Sequence, residues 1–121
     1  MTWFYSQRTG TLMQGSTVES CGYSGHGECK NEPAQQHVHN EGPIPRGRYQ
    51  IGTPVNTDTH GPFVLPLAPD MNNTMHGRSG FLIHGDSKAN PGTASQGCII
   101  LARSVRERIA ESLDNELEVT E

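Results

Sequence analysis

Two apolar runs in this chain end or begin on residues that can do chemistry. Phe81-Leu82-Ile83 runs into His84-Gly85-Asp86, and Ser95-Gln96-Gly97-Cys98 leads into Ile99-Ile100-Leu101. Short apolar runs of this kind between polar segments read as strands buried on both faces. If the two strands are neighbours, the loop between them can bring the His84 imidazole and the Cys98 thiol within hydrogen-bonding distance. A cysteine nucleophile needs such a pairing. Its thiol has a pKa near ~8.5 and is mostly protonated at neutral pH, whereas an imidazole can take the proton and later return it to a leaving amine. Gly97, just ahead of the thiol, permits a backbone angle closed to other residues. The N–H groups of Gly97 and Cys98 are candidate donors to an oxyanion. Asp86, two places past His84, would share its side in an extended segment and raise the basicity of the ring. Arg78, just before the strand, is a candidate partner for a substrate carboxylate, which a guanidinium binds through two parallel hydrogen bonds. Each residue also has a plainer reading: a small buried side chain for Cys98, a ring satisfied by a main-chain carbonyl for His84, and solvated charges for Asp86 and Arg78.

The elements that must position these groups are short. Trp3-Phe4-Tyr5-Ser6 and Thr11-Leu12-Met13 read as strands around the turn Arg8-Thr9-Gly10, with Val18 to Ser20 as a third. Gly22 to Gly27 and residues 30–41 read as loops. Gly42-Pro43-Ile44-Pro45-Arg46-Gly47 is a turn that launches the alternating strand Arg48-Tyr49-Gln50-Ile51. Phe63 to Leu67 is another strand, and Pro66 within it predicts an edge or a strand end. Ser104 and Glu107 have the capping-box spacing. Val105, Ile109 and Leu113 predict one apolar helical face, with Arg106, Arg108 and Glu111 around it. Leu117-Glu118-Val119 reads as a closing strand. The sum is a mainly β fold, a sandwich or barrel-like sheet of short strands with one α-helix near the C-terminus, forming one domain over residues 1–121.

Composition excludes several functions. A chain of 121 residues is too short for two independent cores. Nine basic against thirteen acidic side chains give a net charge of −4, which argues against bulk affinity for nucleic acid. The apolar stretch that begins at Cys98 is far short of the ~20 residues of a spanning helix and no other is longer, so no membrane insertion is expected. Met1-Thr2-Trp3-Phe4-Tyr5-Ser6 lacks the basic start and apolar run of a signal peptide. The expectation is a chain made in the cytoplasm that leaves, if it does, by a route other than the general secretory one.

The segment from Ile83 to Leu101 resembles the catalytic signature of L,D-transpeptidases of the YkuD-like type: His-Gly, a loop, then Ser/Thr-x-Gly-Cys and an apolar pair. Over most of residues 3–109 the chain resembles small bacterial L,D-transpeptidase-like effectors linked to type VI secretion. The shared segments are Gly22-Tyr23-Ser24-Gly25, Gly42-Pro43-Ile44-Pro45 with Gly47 and Tyr49, and Ile83-His84-Gly85-Asp86 with Ala94 to Leu101. The resemblance implies an L,D-transpeptidase-like fold and a cysteine-dependent enzyme on peptidoglycan stem peptides, working without a cofactor as an L,D-carboxypeptidase, an L,D-transpeptidase or a D-amino acid exchanger. It implies Cys98 as nucleophile, His84 as general base, and the Gly85 carbonyl as the group that orients the imidazole. Ser95, Gln96 and Gly97 would shape the pocket, and Tyr23 joins Arg78 and Asp86 as candidate substrate contacts. Gln96 stands where many transpeptidases have histidine, Ile100 replaces an Asn or Arg, and the loop from His84 to Ser95 is short, so hydrolysis is expected to compete with transfer. The resemblance further implies an antibacterial toxin acting in the periplasm of target bacteria, with a secretion-system carrier and a cognate immunity protein as partners.

Two other readings compete. His37-Val38-His39, with His26, Glu28 and Cys29, offers candidate ligands for a zinc-dependent cell-wall peptidase. These residues lie in polar loops and no His-Glu-x-x-His occurs, so no metal is expected. A non-catalytic binding module, with Cys98 packed in the core, is the other; rapid alkylation near neutral pH would separate a catalytic thiol from a buried one. Cys21 and Cys29 flank the Gly-rich loop and suit either a small disulfide or two reduced thiols.

Overall fold

The computed structural model describes every residue from Met1 to Glu121. Strands β1 (Trp3–Ser6), β2 (Thr11–Gln14), β3 (Thr17–Cys21) and β4 (Tyr23–Ser24) come first, followed by a long connection with 3-10 turns at Gly27–Cys29 and Pro33–Gln35. Then come β5 (Gly47–Ile51), β6 (Val55–Thr57), β7 (Gly61–Pro69), β8 (Leu82–His84), β9 (Ile99–Ile100), helix α1 (Arg103–Ser112) and β10 (Glu116–Thr120). The fold is mainly β with a single α-helix near the C-terminus, as the composition and turn pattern imply.

The strands lie in the order β3-β2-β1-β10-β5-β7-β8-β9-β4, with β6 paired to β7 off this path. β3 and β4 stand at opposite ends of that order, yet only Gly22 separates them along the chain. The sheet therefore curls until its two ends meet. Glycine makes the seam: the Gly22 N–H donates to the Gly10 carbonyl at 2.7 Å, and a Cβ on Gly22 would lie 1.9 Å from the Ile100 carbonyl oxygen. No side chain fits between strands at that approach.

Inside the curl, alternate residues of the strands point inward. Trp3, Tyr5, Leu12, Tyr49, Leu65 and Ile83 join Ile99, Leu117 and Val119 in one buried cluster. Val105 and Ile109 complete it from α1, which packs against β7 and β8. β10 is the closing strand in sequence but a central one in space, parallel to β1 and antiparallel to β5.

Three local expectations are corrected, and one alternative that the sequence leaves open is decided. The N-cap of α1 is Ala102, with no side-chain cap, so Ser104 lies inside the first turn and Glu107 pairs instead with Arg103 at 3.3 Å. Leu113 does not extend the apolar face: it takes the left-handed C-cap conformation (φ 61°) and is 86% exposed, while Arg106 is the third inward residue of the helix. Pro66 sits inside a strand flanked on both sides. β5 pairs with Leu67–Pro69 and β6 with the start of β7, so the proline falls in the gap between them. Only the Gly52 N–H reaches its carbonyl there, at 2.8 Å, and no ladder donor is lost. Cys21 and Cys29 are free thiols; Cys21 ends β3 with Sγ against the Thr9 carbonyl at 3.4 Å, and Cys29 closes a 3-10 turn beyond β4. No helix is long and apolar enough to cross a membrane.

Candidate active site

β8 and β9 are parallel neighbours, with Ile83 opposite Ile99 and His84 opposite Ile100. Opposed residues share a face of a sheet and alternate residues return to it. Cys98, two places before Ile100, therefore shares its side with His84, one strand across and two residues along. That separates their main-chain positions by roughly 8 Å. Both side chains line one cleft of about 930 Å³. Its wall also includes His60, Phe81, Gln96 and Arg106. His84 is 3% exposed and Cys98 half-buried, and both border the cleft.

The His84 ring is fixed by its neighbour: Nδ1 lies 2.8 Å from the Gly85 carbonyl oxygen. A carbonyl only accepts, so Nδ1 carries the hydrogen and Nε2 of the neutral ring keeps its lone pair. The His60 ring stands beside it, centroids 4.6 Å apart. Burial holds the His84 pKa below its ordinary 6.5; the Gly85 hydrogen bond opposes, the His60 and Arg106 charges push the same way as burial, and Asp86 opposes with the smallest effect. Burial raises the Cys98 thiol above 9.0, against a Leu82 main-chain hydrogen bond and the Arg78 charge. The resting pair is thus a thiol and a neutral imidazole, not an ion pair.

No hydrogen bond joins them, so the direct contact expected from the sequence is not made in the resting protein. With the thiol protonated at rest in either reading, labelling speed at neutral pH no longer separates a catalytic from a packed cysteine. Alkylation of Cys98 by iodoacetamide, read on its own peptide after digestion, is expected to be slow at neutral pH and to accelerate above pH 9. Rapid labelling at neutral pH would instead reveal a resting thiolate.

The turn before the thiol is bolted down by two buried hydroxyls. Ser95 Oγ donates to the Cys98 carbonyl at 2.5 Å and accepts the N–H groups of Gly25 (2.8 Å) and Gly97 (3.0 Å). Ser24 Oγ donates to the Gly97 carbonyl and accepts from the Ile44 N–H, each at 2.8 Å. The Gly97 N–H is therefore engaged and is not the oxyanion donor anticipated for it. The Cys98 N–H donates to no side chain and to no loop carbonyl, and remains the main-chain donor beside the sulfur. Gly97 itself is required (φ 138°): a Cβ there would stand 2.5 Å from Arg78 Nη2 and 2.8 Å from the Phe81 ring.

Three anticipated substrate contacts have internal duties. Arg78 is 7% exposed. Its Nη1 donates to the carbonyls of Gln36 (2.6 Å) and Pro43 (2.8 Å), its Nη2 to those of Gly42 (2.9 Å) and Gln96 (3.1 Å), and the guanidinium lies over Phe81. It clamps the Gly42–Pro43 segment to the Gln96 turn and offers no free fork. Asp86 accepts from the Tyr23 hydroxyl (2.5 Å), the Ser87 N–H (2.8 Å) and the Gly92 N–H (3.0 Å). The Tyr23 hydroxyl in turn accepts the Ala94 N–H at 3.0 Å. Asp86 and Tyr23 thus shape the loop between β8 and β9. These hydrogen bonds hold the Asp86 carboxyl below its usual value, although burial acts first and in the opposite sense.

His60 and Arg106 were not singled out as site residues from the sequence. His60 arrives on the turn between β6 and β7, for which Asp58-Thr59-His60-Gly61 between β-branched and aromatic residues was the available signal. Arg106 lies three places before Ile109, spacing that puts it on the inward face of α1. No three His, Cys, Asp or Glu side chains come together in a way that could hold a metal ion. His39 Nε2 donates to the His76 carbonyl at 2.7 Å and His37 meets His76 edge-on, so the zinc alternative finds no ligand set.

A thiol, an imidazole with a free lone pair and a main-chain N–H around one cleft can attack a carbonyl and stabilise the charge that develops. The family model for the Tlde1 domain matches residues 18–120. No curated protein and no solved structure matches the chain.

Proposed function

We propose a cysteine-dependent activity on peptidoglycan stem peptides, proceeding from one premise: the chain belongs to the Tlde1 domain family of type VI secretion effectors. The observation that carries the reading is the shared cleft of His84 and Cys98 across the parallel β8–β9 pair. The mechanism requires the Cys98 side chain to turn toward Nε2 when substrate binds, with the His84 ring kept in place by Gly85; catalytic hydrogen bonds commonly tighten only in the complex. Nε2 then takes the thiol proton as sulfur attacks the carbonyl of the L,D bond between the diamino acid and the terminal D-alanine. The C–N bond breaks, the imidazolium returns its proton to the departing amine, and D-alanine leaves behind a thioester on Cys98. Water attacks the thioester in a carboxypeptidase cycle, or an amine does so in exchange or transpeptidation, and the thiol is restored.

Incubating the protein with purified tetrapeptide muropeptides is expected to yield tripeptides and free D-alanine by mass spectrometry, or D-amino acid adducts when one is supplied. Unchanged tetrapeptides would refute the activity. Family membership also supports delivery into the periplasm of a rival cell and a cognate immunity protein in the producer. Expression with a periplasmic export signal should then be toxic, and equal toxicity without the signal would count against that site of action.

A further inference from the structure

The cleft that holds Cys98 and His84 is also lined by three cationic side chains, Lys88, Arg103 and Arg106, and by one carboxylate. That carboxylate, Asp86, is occupied by Tyr23, Ser87 and Gly92. Arg103 also pairs with Glu107 at 3.3 Å, which leaves Lys88 and Arg106 as the cleft's cations without an acidic partner.

Arg106 is 6% exposed. Nε donates to the Leu101 carbonyl (3.1 Å) and Nη1 to those of Pro62 (3.0 Å) and Phe63 (2.8 Å). Nη2 has no hydrogen-bond partner, yet the only sealed polar side-chain atom without one is the Tyr5 hydroxyl, so Nη2 is open to solvent. It stands beside Gly85, where a Cβ would come within 2.9 Å of it. No carboxylate forms an ion pair with this guanidinium, although the Glu107 charge raises its pKa while burial and Arg103 lower it. Burying a cation without an acid is costly unless its hydrogens are satisfied; carbonyls satisfy Nε and Nη1, and Nη2 is left facing solvent, free to receive a ligand. The residue that helps aim it, Phe63, holds a left-handed backbone (φ 54°), a strained state for a large side chain that tends to occur where geometry serves function. Arg103 stacks on the same Phe63 ring, its guanidinium 4.9 Å from the centroid.

We propose that Arg106, supported by Arg103, receives a free carboxylate of the substrate. The site thereby selects peptides whose departing residue is a C-terminal amino acid over peptides continued or capped there. The inference deepens the proposed activity and rests on it. Its chemistry follows from the leaving group: in a departing amino acid the amine and the carboxylate hang on one carbon. A base that returns a proton to that amine must therefore have the carboxylate site close at hand. Nη2 beside Gly85, the residue that orients the His84 ring, meets that requirement, whereas Arg78, enclosed by four carbonyls, does not.

The test is a pair of stem tetrapeptides ending in D-alanine or in D-alaninamide. For the native protein the amide is expected to lose about 10- to 100-fold in kcat/KM, the range set by one charge-assisted hydrogen-bonded contact, with most of the loss in KM. Arg103→Gln alters an exposed guanidinium and Arg106→Lys keeps the charge but not the fork; both should narrow the gap between the two substrates. Equal kcat/KM for acid and amide in the native protein would overturn the carboxylate site while leaving the activity standing. Turnover of neither peptide would overturn the activity and this site with it.

Discussion

Cys98→Ala should lower D-alanine release from tetrapeptide muropeptides by on the order of 10⁴-fold or more, the scale on which covalent nucleophiles act. The same substitution should leave the fold nearly unchanged, because it removes one half-buried sulfur whose one hydrogen-bond partner is the Leu82 main chain. The comparison with His84→Gln is more informative. With its pKa pushed up by burial, the thiol supplies very little thiolate at neutral pH, so the reaction depends on a base. Without the His84 ring, the residual rate should climb steadily as pH rises above 9, where hydroxide does the work of the base. In the native protein the acid limb follows His84. Burial lowers its pKa, so Nε2 stays unprotonated to lower pH than an ordinary imidazole, and activity should persist below 6.5 before it falls. An acid limb centred above 6.5, or undiminished release from Cys98→Ala, would contradict the assignment of base and nucleophile.

That His84 and Cys98 would border one cleft was legible from the sequence because the information is local. Each residue abuts an apolar run, and runs of that length between turn residues become buried strands. The hairpin at Arg8-Thr9-Gly10 was legible for the same reason, with strand periodicity on either side of a glycine that takes φ 73°. What escaped was decided by partners distant in the chain. Arg78 reads as a surface charge until Gln36, Gly42 and Pro43 supply carbonyls from the long connection between β4 and β5. Arg106 reads as a helix-flank charge until the start of β7 folds over it. β10 reads as a terminal strand, since nothing in Leu117-Glu118-Val119 announces that β1 and β5 will flank it. The capping box failed for a different reason: Ser104 had the right spacing from Glu107, but Leu101 continues the β8–β9 ladder through its N–H to His84. The chain turns into the helix right after it, at Ala102, two positions earlier than an N-cap at Ser104 would need.

Arg78 then carries the largest expected effect on stability. Arg78→Ala should cost about 4 kcal/mol, within the range for removing one partner of a buried charged network. In a domain whose whole stability is roughly 5–15 kcal/mol, this is a large fraction, visible as a lower urea midpoint. The reasoning counts acceptors. Four main-chain carbonyls from two separate segments converge on one guanidinium, and alanine would leave them facing each other across an empty space. Arg78→Lys should recover only part of the loss, because a single ammonium cannot reach both the Gly42–Pro43 carbonyls and that of Gln96 as a planar fork does. Either variant frees the turn that presents Cys98, so kcat should fall along with stability. A surface arginine reserved for substrate would behave otherwise: its loss would raise KM and leave the urea midpoint where it was.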